Sequence, residues 1–162
     1  MKSFRIATQI FVILFTAAAF ASDAQASFEK LKSLQGSWSG KGMKGDVQVS
    51  FRVTSAGSVI MSEIHSDEDM ISMIHLDGDR LMLTHYCGAG NQPRMVARLS
   101  PDGKTITFNF LDATNILSSQ PGHMERVVIT LIDNDHHTEE WEFLGNDGKT
   151  QEHELFDLHR TR

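Results

Sequence analysis

From Gly36 onward, apolar and polar residues alternate with a period of two. Val47, Val49, Phe51 and Val53 interleave with Gln48, Ser50, Arg52 and Thr54, and Ile106, Phe108 and Phe110 repeat the pattern. Successive side chains on a strand point to opposite faces, so each such run is a strand with one buried face. The runs fall over 47–54, 58–65, 70–76, 79–87, 92–99, 104–111, 123–132, 136–144 and 149–160, with Gly36 opening a further one. Turn residues punctuate them: Ala56-Gly57, Asp77-Gly78, Pro101-Asp102-Gly103, Asp133-Asn134-Asp135 and Gly145-Asn146-Asp147-Gly148. Residues 112–122 form the longest connection. Asp-Gly between alternating runs is a strong hairpin signal; if Asp77-Gly78 is the turn, Leu81 lies opposite Ile74 and Leu83 opposite Ser72. Before Gly36, Phe28, Leu31 and Leu34 recur at i, i+3 and i+6, and Ser27 is placed to cap a short helix over 27–34.

About ten short strands joined by hairpins, with no helix long enough for a parallel crossover, predict an all-β, up-and-down meander. A meander of that length leaves two exposed edges unless it closes on itself. The expected fold is therefore a single closed antiparallel β-barrel, its short N-terminal helix covering one end.

Residues 1–26 read differently. Lys2 and Arg5 precede an uncharged apolar run from Ile10 to Phe20, followed by the small-residue patterns Ala19-Phe20-Ala21 and Ala24-Gln25-Ala26. This is the layout of a secretory signal peptide, too short for a membrane span. Cleavage after Ala26 is expected, leaving a barrel domain over 27–162 in the periplasm or secreted, without stable membrane insertion. The net charge of −6 argues against nucleic acid as a partner. Cys87 is the only cysteine, so the chain has no internal disulfide.

Candidate chemistry collects at one bend, Thr84-His85-Tyr86-Cys87-Gly88-Ala89-Gly90-Asn91-Gln92-Pro93-Arg94. A plain turn needs no His, Tyr, Cys and Arg together. His85 and Cys87 share a face with Leu81 and Leu83 and are expected to point inward. Pro93, lacking a donor, belongs at a strand start or a bulge. His85, Tyr86, Cys87, Asn91, Gln92 and Arg94 are the expected ligand-binding residues, with Arg94 pairing an anionic group and the others supplying hydrogen bonds. The competing reading is that these polar groups brace the loop. His136 and His137, as strand neighbours, point to opposite faces and with Glu139 and Glu140 read as a solvated tip. No metal site is expected, and no complete catalytic set is present.

Two resemblances sharpen this picture. Gly36-Ser37-Trp38-Ser39-Gly40, directly after a short helix, resembles the entry to the first strand in the calycin superfamily of lipocalins, fatty-acid-binding proteins and nitrobindins. There the tryptophan plugs the closed end of the barrel. Thr84-His85-Tyr86-Cys87 with Asn91-Gln92-Pro93-Arg94-Met95 resembles a motif of uncharacterised bacterial exported lipocalin-like proteins. The motif's family carries no assigned activity. The abundant methionines and the polar bend at a barrel mouth point instead to a binding protein for a small apolar or amphipathic molecule with a polar or anionic end. The nitrobindin branch of the resemblance implies an alternative, a haem protein acting on nitric oxide or peroxynitrite, with His153 as the iron ligand. No cofactor is otherwise expected. A third reading is a structural or interaction module whose barrel is filled.

Overall fold

Ten strands form in the places the alternation marks. They are β1 (Gly36–Gly42), β2 (Gly45–Thr54), β3 (Val59–His65), β4 (Asp69–Asp77), β5 (Arg80–Tyr86), β6 (Gln92–Leu99), β7 (Thr105–Thr114), β8 (His123–Asp133), β9 (His136–Leu144) and β10 (Gln151–Arg160). Each pairs antiparallel with the next, and β10 returns to β1, closing a ten-strand barrel with no free edge. The computed structural model describes residues 23–149 and 151–161. Residues 1–22, which carry most of the expected signal segment, lie outside the described residues.

One helix, α1 (Asp23–Lys32), precedes the barrel. Its described residues begin ahead of the expected cleavage point at Ala26. Ser27 is no cap: it is buried mid-helix and its hydroxyl donates back to the Asp23 carbonyl at 2.7 Å. Phe28, Leu31 and Leu34 are buried as their spacing predicts, and α1 packs on β2, β4, β5 and β6.

The β4–β5 hairpin corrects the expected register. Gly78 and Asp79 are the unpaired loop residues, so Asp77 faces Arg80, Ile74 faces Leu83 and Ser72 faces His85. Gly78 takes φ +61 at the first loop position, where a two-residue Gly-X hairpin turn needs glycine. The shift amounts to two residues and leaves every side chain on its expected face.

The floor of the barrel is closed by α1, Trp38 and Arg160. Trp38 is buried, and its Nε1–H donates to the Leu34 carbonyl at 2.8 Å. The Arg160 guanidinium lies over the indole, 4.2 Å from its centroid. It donates to the carbonyls of Gln35 (2.9 Å), Ser33 (3.0 Å) and Asn134 (3.0 Å), and pairs with Asp135 at 3.2 Å. One cation thus satisfies orphan carbonyls after α1 and ties them to the β8–β9 turn. Gly40 is required where β10 crosses: a Cβ there would collide with the Asp157 carbonyl. Above the floor, Val49, Phe51, Ile60, Ile74, Leu83, Ile106, Phe108, Val127 and Ile129 fill the bore.

Arg160→Ala is expected to destabilise the fold by about 2–3 kcal/mol in urea unfolding, because several charge-assisted bonds are lost together. Arg160→Lys should recover little, since an ammonium lacks the planar fork. Wild-type stability in Arg160→Ala would show that the latch does not matter.

Candidate functional site

The β1–β2, β3–β4, β5–β6, β7–β8 and β9–β10 connections all emerge at the end opposite α1. The bore is not filled there. A cavity of about 410 Å³ opens between them. Val47, Met70, Met124, Trp141, Phe143 and Phe156 supply its apolar lining. Asp46, Asp67, Glu68, Glu152 and Glu154 also line it, against one lysine, Lys44, and the rim histidine His153. Five carboxylates to one ammonium make its field negative.

The Thr84–Arg94 bend reaches this cavity through Cys87, Gly88 and Ala89. The Cys87 and Asn91 backbones close it (N–H to carbonyl, 3.1 Å), with Gly90 N–H donating to the Cys87 carbonyl at 2.9 Å. Of the six expected binding residues, only Cys87 lines the cavity. Burial raises its thiol pKa and the Glu68 carboxylate raises it further, partly offset by a backbone hydrogen bond at Ala89. Cys87 is thus a neutral thiol in the wall, not an activated nucleophile.

The other five are placed elsewhere. Arg94 alternates with buried Pro93 and Met95 and points outward, opposite Asp112 on β7. It holds that carboxylate in a fork at 2.6 and 2.5 Å, which lowers the Asp112 pKa. The expected pairing of Arg94 with an anionic ligand is therefore corrected: its partner is Asp112. Tyr86 is half-exposed on the outer face. Asn91 is buried and donates to the Gly122 carbonyl at 2.7 Å, while Gly122 N–H donates to Asn146 at 2.8 Å. Gln92 donates to the Gly90 carbonyl and accepts from Thr114. These side chains brace the bend against its neighbouring connections. Pro93 is the second residue of β6, beside a bulge at Arg94/Met95.

His85 is inward and fully buried below the cavity. Its Nδ1 is 3.0 Å from the Ser72 hydroxyl and its ring lies 5.0 Å from that of Trp141. Burial drives its pKa from 6.5 down to about 4, so the ring is neutral.

The inner face of β9 departs from the expected solvated tip. His137 and Glu139, expected in a solvated tip, are both buried. The His137 Nε2–H donates to Glu139 at 3.2 Å, and the Trp141 Nε1–H donates to the other carboxylate oxygen at 3.0 Å. The His137 ring stands edge-on to Trp38 at 4.3 Å. A polar column thus climbs from the floor tryptophan to the cavity tryptophan. The signal was parity: His137 and Glu139 alternate onto the face of Trp141 and Phe143.

No family model matches the chain, and no curated protein sequence matches it. Its barrel is nevertheless similar to solved ones. A protein of unknown function from the DUF3598 family of Nostoc punctiforme superposes with a TM-score of 0.57 at 12% identity, over 81% of this chain and 49% of that one. This chain thus spans about half of that protein's length. Rv2717c from M. tuberculosis superposes with a TM-score of 0.57 at 17% identity, over 84% of this chain and 98% of that one. Likeness at this identity carries the barrel fold alone.

The haem alternative meets a poor fit in these residues. An iron-bound imidazole here would have to turn into the cavity, whose rim His153 lines. His153 alternates with inward Phe156 and Leu158 onto the outer face, its side chain is 60% exposed, and its Nδ1 lies 3.8 Å from Glu142.

His85 makes a pH prediction. The unfolded chain takes up a proton near 6.5 that the fold refuses until about 4. Its contribution is full above about pH 6.5 and is lost as pH falls through that window, by at most about 3 kcal/mol. Asp112, with its lowered pKa, acts only at lower pH. Urea unfolding at pH 7.5 and 4.5 should show a smaller drop in His85→Gln than in wild type. An equal drop in both would refute the assignment.

Proposed function

We propose that this barrel binds one small, largely apolar molecule in its open mouth, with a neutral or positively charged end against the carboxylate rim. The observation carrying this reading is the division of the cavity. Its floor is Met70, Met124, Trp141, Phe143 and Phe156, and its rim holds five carboxylates and one lysine. A volume of about 410 Å³ falls in the range of small-molecule sites. Methionine thioethers adapt to varied apolar shapes. The anionic end expected from Arg94 would meet repulsion here, and Arg94 itself is engaged on the outside.

The test is a binding series of alkyl chains of one length carrying ammonium, hydroxyl or carboxylate ends. Affinity should fall in that order, and the ammonium preference should shrink with salt. Glu68→Gln and Glu152→Gln should each weaken the ammonium member by up to about fivefold, as expected for exposed charge pairs, and leave the alcohol unchanged. Tightest binding of the carboxylate, or no binding of any member, would contradict the proposal. The latter result would favour a barrel acting as a structural or partner-binding module.

A further inference from the structure

A second chemical cluster lies on the outer wall, away from the mouth cavity. His136 opens β9, His159 lies near the end of β10, and the register sets them directly opposite one another. Asp157 precedes His159 by two residues and shares its outward face. The two imidazoles stack with centroids 4.2 Å apart and planes 21° apart. His136 Nε2 lies 2.7 Å from Asp157 Oδ1, and His159 Nε2 lies 3.7 Å from the same oxygen. One ligand atom from each residue falls within 4.8 Å of the other two.

We propose that His136, Asp157 and His159 form a binding site for a divalent transition-metal ion of the zinc type. Two imidazole nitrogens and one carboxylate oxygen are a familiar three-ligand set for Zn²⁺, with water as the fourth ligand. Bonds of about 2.1 Å in a tetrahedron put ligand atoms about 3.4 Å apart. The two nitrogen-to-oxygen separations are 2.7 and 3.7 Å and the three ligand atoms lie within 4.8 Å of one another, so side-chain rotation must bring them to that spacing around the ion. Both histidines ride on paired strands, which limits the ordering cost, and one ring must turn out of the stack so that both nitrogen lone pairs meet at the ion. The side chains are 25%, 58% and 64% exposed for His136, Asp157 and His159, which leaves the ion an entry path.

The surrounding charges permit a cation. Lys41 on β1 lies opposite Asp157, but its ammonium is engaged by Asp46. Ser39 lies opposite His159 and Thr138 opposite Asp157. Asp133 on β8 faces His136, and Asp135 carries the Arg160 pair. No single strand announces the site, because His136 and His137 point apart. The second imidazole comes from the next strand. An ion held here would staple the start of β9 to the end of β10, beside the bond from Arg160 N–H to the Asp135 carbonyl.

Calorimetric titration of the protein with Zn²⁺ should give one equivalent bound and a rise in melting temperature. His136→Ala, His159→Ala and Asp157→Asn should each weaken binding at least tenfold, while His153→Ala, a histidine away from the cluster, should not. Metal-free melting of each variant shows that it is folded. Co²⁺ should give visible d–d absorption with wild type and none with His159→Ala. Absence of Zn²⁺ binding by wild type, or wild-type affinity in the folded His136→Ala/His159→Ala double variant, would overturn the proposal.

Discussion

The Arg160 guanidinium over Trp38 is the contact on which the rest of the architecture depends. A meander becomes a barrel only if its last strand returns to its first, and here that seam is short, running from Trp38–Arg160 to Lys41–Asp157. Arg160 stands at the end of it. By stacking on the indole and collecting carbonyls from Ser33, Gln35 and Asn134, it joins helix, seam and β8–β9 turn at one point. Only a planar, permanently charged fork can serve that many acceptors at once. With the floor sealed, all freedom to hold a ligand is displaced to the other end.

The interior then divides along β9. Below, aliphatic and aromatic side chains fill the bore. Through the middle runs the column of His137, Glu139 and Trp141, buried and mutually hydrogen-bonded. A buried polar column of this kind costs desolvation, which its internal hydrogen bonds offset in part, His137 Nδ1 finding no partner among the described residues. It also fixes the angle of Trp141, the ring that roofs the filled part and floors the cavity. Above Trp141 the wall is methionine and phenylalanine, and the rim is acid. Shape and charge therefore change together along the barrel axis.

Much of this is legible in the sequence. Period-two runs and hairpin turns announce a closed antiparallel barrel, and the glycines around Trp38 announce a plug with backbone passing close by. Other features depend on pairing, which no single strand encodes. The hairpin at Gly78-Asp79 sits one residue later than the Asp-Gly signal suggested, because glycine is wanted first in that turn. The bend at Cys87 looked like a binding loop since its residues are chemically rich. Its amides are spent on Gly122, Gly90 and Thr114, and its arginine on Asp112, partners that lie on the β7–β8 connection, in the bend itself and on β7. Glu139 seemed solvated because a charge is rarely buried. Counting alternate residues back from Trp141 would have placed it correctly.

The central claim is a barrel filled from Trp38 to Trp141, save for a void of about 10 Å³ beneath Trp141, and hollow above. The chain has two tryptophans, one at each boundary. Fluorescence of the two single-tryptophan variants, titrated with a bromine-bearing alkylammonium quencher, tests the claim most directly. Emission from Trp141, retained in Trp38→Phe, should be quenched saturably at low quencher concentration, while emission from Trp38, retained in Trp141→Phe, should not respond. Equal quenching of both, or protection of Trp141 as complete as that of Trp38, would contradict the division of the barrel into a filled floor and a binding mouth.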